Sequence, residues 1–252
     1  MSKILGVLGG MGPLASAHFM LRLTLLTPAD RDQDHIPSVL WSDPRVPDRT
    51  AARLAGGEDP LPMLLRGIAG LKAAGCGAIA IPCNTAHGWH AAMQAATDRP
   101  ILHIVDATAA ELIRLGVAAG PIGVMGTAAT LAMRLYQQGL EGRGWSCLMP
   151  DATEMAQQVT PAIALVKANR VAEAYAPLAE VAQRLVMRGP GRWCWAAPRS
   201  RWGWRPDRLC PFRWRIASMP WRAPRSAGRG ARLAEAQSQS QPSVGPLSPR
   251  TT

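Results

Sequence analysis

No run of about 18 apolar residues occurs in the chain, so a helical membrane span is not expected. The apolar opening Ile4-Leu5-Gly6-Val7-Leu8-Gly9 is too short for a secretory signal and is broken by glycine, so a cytoplasmic location is expected. The five cysteines include no Cys-x-x-Cys pair, and neither a disulfide framework nor a zinc site is indicated. The glycine-rich turn Gly9-Gly10-Met11-Gly12-Pro13 lacks the Gly-Lys-Ser/Thr of a nucleotide P-loop. It is compatible with a carboxylate, a phosphate or no ligand. Lysine is absent from residues 189–252, and this absence divides the chain. Residues 1–188 carry 16 Lys and Arg against 15 Asp and Glu, whereas residues 189–252 carry 12 Arg against two acids and hold six of the nine Trp. All but one of the eleven net positive charges therefore belong to the last quarter.

What is present is organised around Gly77-Ala-Ile-Ala-Ile-Pro-Cys83-Asn84-Thr85-Ala86-His87. A short apolar run bounded by Gly77 and Pro82 fits a strand buried on both faces of a parallel sheet. Asn84 and Thr85 suit the start of a helix, where their side chains can accept from free backbone N–H groups. Ligands of open α/β sheets bind at the carboxyl ends of strands. Cys83 would sit there, facing a helix N-terminus that favours its thiolate. Two readings remain open: a reactive thiol at a strand end, or a small buried core residue.

The remaining pattern alternates strands and helices. Strands are expected at residues 3–8, 36–43, 101–106, 121–126 and 145–149. Helices are expected at 14–26, 60–74, 107–115, from 127 to about 139, 151–166 and 172–187. Leu61, Leu64, Leu65, Ile68 and Leu71 share one face of the second of these helices. Such spacing indicates βαβ units and parallel sheets. Gly123-Val-Met-Gly126-Thr127 repeats the layout of Gly6-Val-Leu-Gly9-Gly10, which points to two similar halves. The expected organisation is a first α/β domain over residues 1–119 and a second, incomplete one over 120–188. An Arg/Trp/Pro-rich tail over 189–252 is expected to lack a fixed fold.

Four motifs in order, Gly6-Val-Leu-Gly-Gly-Met-Gly-Pro-Leu-Ala15, Asp32-Gln-Asp-His-Ile-Pro37, Val46-Pro-Asp-Arg-Thr50 and Ile81-Pro-Cys-Asn-Thr-Ala-His87, resemble the aspartate/glutamate racemase family. The resemblance covers residues 3–188. It implies two doubly wound α/β domains with the active site in the cleft between them. It also implies no pyridoxal phosphate or other cofactor, a small amino-acid substrate and a homodimer. In such enzymes two thiols, one from each domain, flank the α-carbon as base and acid, each with a pKa near the working pH. Cys83 matches the first thiol. Asn84, Thr85, Thr127 and the Met11-Gly12 turn match contacts to the substrate α-carboxylate or amino group. Arg49 matches the clamp on a side-chain carboxylate, where a guanidinium can make two parallel hydrogen bonds. Lys167 resembles a lysine at the cleft, with a solvated helix lysine as the other reading. His87 resembles a packing or supporting position, and neither it nor His90 reads as a metal ligand.

The second thiol should follow about 110 residues after the first, at a strand end reading Gly-Cys-Thr-Glu-Ile-Pro-Leu by resemblance. The chain instead has Gly189-Pro-Gly-Arg-Trp-Cys-Trp-Ala-Ala-Pro198, which has no strand period. Tryptophan has one codon, so Arg192-Trp193-Cys194-Trp195-Ala196 forces Val-Leu-Gly when read one base earlier. Synonymous codons then permit Cys-Thr-Glu-Ile-Pro-Leu to follow. The expectation is a change of reading frame near Gly189. Cys194 does not replace the missing thiol, because its Trp and Arg neighbours do not rebuild the strand that must aim it. A misplacement of about 1 Å can cost on the order of a hundredfold in rate. Two outcomes are therefore carried forward: an amino-acid racemase, or a family relic without its second thiol. The frame change also accounts for the tail's charge, so no nucleic-acid partner is expected, and residues 237–243 read as low-complexity sequence.

Overall fold

The computed structural model describes residues 4–189. The first half runs β1 (Ile4–Gly9), α1 (Pro13–Leu26), β2 (Ser38–Ser42), α2 (Arg49–Leu54), α3 (Leu61–Ala73), β3 (Cys76–Ala80) and α4 (His90–Ala95). Its three strands are all parallel, in the order β2-β1-β3. Alternation along the strands feeds two cores. Leu5 and Val7 of β1 and Ala78 and Ala80 of β3 pack with Phe19 and Leu23 of α1. Leu8, Cys76 and Ile79 pack on the opposite face with Leu64, Ile68 and Leu71 of α3. Those three α3 side chains are at most 2 % exposed, and each contributes roughly 1.5–3 kcal/mol of apolar burial.

The second half runs α5 (Ile104–Arg114), β4 (Gly120–Gly123), α6 (Ala128–Ala132), α7 (Leu135–Glu141), β5 (Trp145–Leu148) and α8 (Ala152–Glu154). A π turn at Met155–Val159 joins α8 to α9 (Thr160–Lys167), and α10 (Val171–Arg188) follows. β4 and β5 form a parallel pair. Ile122 and Val124 face α5 and α7, packing with Val105, Leu112 and Leu140. Met125 packs on the other face with Val181, Ala182 and Leu185 of α10. Both sheets are thus covered by helices on both faces, the doubly wound α/β architecture expected. Among the described residues no helix is long and apolar enough to cross a membrane.

Local chemistry moves some expected boundaries. The strand expected over residues 101–106 is reduced to one bridge, Ile79 to Ile101. His103 accepts the Val105 N–H through Nδ1 and starts α5 at Ile104, so a side-chain bond wins the backbone from the ladder. The helix expected from Thr127 to about Gly139 breaks at Arg134, whose φ is 54°. α2 arises where no helix is expected, because the Asp48 carboxylate accepts from the Thr50 and Ala51 N–H groups. The residues after Gly189, with Cys194 and the Arg/Trp tail, lie outside the described residues.

Candidate functional site

The glycine turn after β1 lies against the exit of β2. Gly10 has φ +89°, and a Cβ there would meet the Asp43 backbone at 2.3 Å. Only glycine lets the turn lie this close to the exit of β2. The Gly10 N–H donates to Ser16 Oγ at 2.9 Å, so that donor serves the fold rather than a ligand. Met11 is buried in the same core cluster as Cys83, and Gly12 caps α1 beside it. The Met11-Gly12 peptide is cis.

Cys83 follows β3 by three residues and is 7 % exposed. Its N–H donates to the Ile81 carbonyl at 2.8 Å. The segment after it is a five-residue 3₁₀ turn, Thr85–Trp89, rather than an α-helix. The expected helix caps are therefore absent, and so is the helix N-terminus expected to face the thiol. Asn84 and Thr85 turn their side chains to the second half instead. Asn84 Oδ1 accepts from the Tyr136 hydroxyl of α7 at 2.7 Å. Thr85 Oγ1 lies 2.8 Å from Thr127 Oγ1 and 3.0 Å from Thr130 Oγ1, and those two hydroxyls are 3.0 Å apart. The three hydroxyls form a closed triangle between the halves.

Arg49 and Lys167 come together through a residue that the sequence reading left out. Lys167 Nζ lies 2.9 Å from Asp48 Oδ2, joining α9 to the start of α2 across 119 positions. Burial works to raise the Asp48 carboxyl, but Lys167 and the Ala51 and Thr50 N–H groups outweigh it and hold it at about 2. Arg49, next in sequence, donates from one terminal nitrogen to the Val46 and Pro47 carbonyls at 3.1 and 3.0 Å. Its Nε is buried without a partner.

The structure thus gathers Asn84, Thr85 and Thr127 into one polar network and links Lys167 to the turn that bears Arg49. Cys83 and Met11 share one apolar core. Asp48, Thr130 and Tyr136 were missed. Asp48 had a signal in the preference of aspartate for helix caps. Tyr136 had none, because only the tertiary fold brings it to Asn84. The other described thiols are remote in character. Cys76 is fully buried and pushed upward by that burial. Cys147 on β5 is pushed up to about 11 by burial and by Glu141.

A model of the Asp/Glu/hydantoin racemase family matches residues 8–192. The broad-specificity amino-acid racemase RacX of Bacillus subtilis is 30% identical over 168 residues, 65% of this chain and 71% of that protein. The solved aspartate racemase of Picrophilus torridus superposes with a TM-score of 0.64 at 31% identity, over 73% of this chain and 76% of its own. An aspartate racemase homologue from Pyrococcus horikoshii superposes with a TM-score of 0.51 at 22% identity, over 65% and 70% of the two chains, a likeness of fold alone. With the motifs, the paired sheets and these matches in agreement, the chain belongs to the Asp/Glu/hydantoin racemase family.

Proposed function

We propose that this protein acts on the α-carbon of an amino acid, with Cys83 as one acid/base group. The Cys83 thiolate takes the α-proton, leaving the C–H electron pair on the α-carbon. A second thiol returns a proton to the opposite face, which inverts the centre. Asn84, Thr85, Thr127 and the Met11-Gly12 turn hold the α-carboxylate and amino group. Arg49 and Lys167 hold a side-chain carboxylate, which favours aspartate or glutamate. No cofactor is required in this scheme. The observation that carries the reading is the position of Cys83 beyond β3, in a turn bonded through Thr85 and Asn84 to the opposing half.

A second reading concerns the chain as written. In the first sheet β3 lies beside β1 on the side away from β2, and Cys83 follows ten residues after the end of α3. In the second sheet β5 occupies one side of β4, and among the described residues the other side has no strand. α10 ends over this sheet, since a Cβ at Gly189 would lie 3.5 Å from Pro121 of β4. In the shifted frame the cysteine codon spans Ala196 and Ala197, nine residues after the end of α10. The family match stops at residue 192. These facts support a frame change that removed the third strand of the second sheet and its thiol, leaving a chain with half of its acid/base pair. Cys147 does not fill the role, because a thiol near 11 is a poor donor and acceptor at neutral pH.

The test is α-proton exchange of D- and L-aspartate and glutamate in deuterium oxide, followed by NMR, with gene sequencing across residues 186–195. Exchange of both enantiomers, with racemisation and exchange of one enantiomer lost in Cys83→Ala, supports the racemase. Exchange of one enantiomer alone supports the half-site. No exchange with any amino acid, in the written and the repaired chain alike, overturns the reading.

A further inference from the structure

Three imidazoles cluster behind the thiol, outside the chemistry described so far. His87 is 3 % exposed. Its ring stacks on His90 at 6.0 Å between centroids and 9° between planes. His103 meets His87 edge-on at 5.3 Å and His90 at 4.7 Å. Among the described residues no group of three His, Cys, Asp or Glu side chains is placed to hold a metal. The nitrogens instead face backbone. His87 Nδ1 lies 2.8 Å from the Cys83 carbonyl oxygen, and its Nε2 lies 3.4 Å from that of Leu102. His90 Nε2 lies 3.0 Å from the Ile101 carbonyl oxygen. His103 Nδ1 accepts the Val105 N–H at the start of α5.

These partners fix the tautomers. A carbonyl oxygen only accepts, so the His87 nitrogen at 2.8 Å carries the proton. A neutral ring has one N–H, which leaves Nε2 bare at the longer contact. Burial disfavours a second proton, and it lowers the His87 pKa to about 4, with His103 and His90 acting in the same direction. The Cys83 backbone is then held at both ends: its N–H by Ile81 and its carbonyl by His87. Leu102, on the far side of the His87 ring, is itself tied to β3 through its N–H on the Ile79 carbonyl. Two residues later the chain enters α5 and the second core.

We propose that His87 is the positioning residue of the Cys83 thiol. As the neutral Nδ1–H tautomer it holds the Cys83 carbonyl. His90, through Nε2 on the Ile101 carbonyl, fastens the end of the same turn to the crossover that leads into the second half. The catalytic consequence rests on the racemase reading, whereas the positioning does not, so the two are measured separately.

The experiment alkylates the full chain with iodoacetamide and follows Cys83 and Cys76 separately by peptide mass spectrometry, alongside α-proton exchange. Cys76, buried in β3 of the same sheet, reports global opening. His87→Leu keeps bulk and removes the donor. It should raise Cys83 alkylation about tenfold with Cys76 unchanged, and lower exchange about tenfold or more. His87→Asn puts an amide N–H where Nδ1 stood and should restore both rates to within about threefold of the parent. Unchanged Cys83 alkylation in His87→Leu overturns the proposal. So does a parallel rise at Cys76, or a failure of asparagine to rescue. Nitrogen-15 NMR of the imidazoles in the unmodified protein adds a measurement that needs no variant: an Nε2–H tautomer at His87 overturns the proposal. Altered alkylation with no exchange in any variant leaves the positioning standing and removes only the racemase reading.

Discussion

β1 and β4 open the two halves in the same way, each an apolar strand running into a glycine turn and a helix. β1 has a strand on both sides, whereas β4 has one on a single side among the described residues. Packing registers the difference in part. Both sheets are covered on both faces, but β1 is buried from Leu5 to Gly9, whereas Gly120 and Pro121 of β4 are only half-buried. What differs further is chemistry, since among the described residues a third strand, with the turn that follows it, is found in the first sheet alone. The first sheet delivers Cys83. A half can therefore keep its core and lose its reactive atom, and fold likeness alone does not carry activity.

The comparison is sharpened most by repairing the second half. Restoring the shifted frame from Gly189 onward should raise racemisation of aspartate or glutamate by a factor of roughly a thousand or more over the written chain. Equal rates in the two proteins would mean that the restored strand is not the source of an acid/base group. Cys83→Ser in the repaired protein should lower racemisation by about a thousandfold in both directions and stop α-proton exchange of one enantiomer, while the second thiol still exchanges the other, read by NMR in deuterium oxide.

A third change tests the imidazole cluster beneath the first half. His87 has a folded pKa of about 4 against 6.5 in the unfolded chain. Between those values the unfolded state binds more protons. The contribution of His87 to stability is therefore complete above 6.5 and is lost as pH falls from there through about 4. Its size is up to about 3 kcal/mol. Denaturant unfolding at pH 7 and pH 4.5 should show the loss, and His87→Asn should flatten the pH dependence over that window.

Two contacts between the halves rank lower. Thr85→Val opens the hydroxyl triangle and leaves Thr127 and Thr130 with one partner fewer, at a cost of about 1–2 kcal/mol in unfolding free energy. Asp48→Asn removes the ion pair with Lys167. Both side chains are nearly half exposed, at 45% and 49%, so water screens the pair and stability should change by less than about 1 kcal/mol. A larger effect on the KM of a dicarboxylic substrate than on stability would identify the pair as part of the binding site.

Much of this was legible in the sequence because the period of buried residues is a local property. The 3.6-residue stripe on α3 and the apolar runs at β1 and β3 need no knowledge of the rest of the fold. The thiol stood out for a similar reason, as a polarisable residue placed where an apolar run stops. The region around residue 103 was not legible. There a histidine side chain captures a backbone N–H and converts an expected strand into a helix start. Asn84 and Thr85 were misread for a related reason. Their short polar side chains fit a cap by local rules, and only the tertiary fold shows that hydroxyls from α6 and α7 claim them first. Tyr136 and Thr130 belong to the same class, residues whose importance is defined by a partner some 45 to 52 positions away.

The glycines at positions 10 and 12 look alike in the sequence, yet they carry different information. At position 10 a side chain would collide with the Asp43 backbone and would also need a left-handed conformation. At position 12 an added Cβ would meet nothing within 4 Å. Gly10 is thus a mechanical joint, setting how close the β2 exit, which leads on to Asp48 and Arg49, stands to the turn after β1. The freedom of this scaffold to vary is uneven on a scale of two residues: one glycine is dictated by the fold, while the other has space beside it for a side chain.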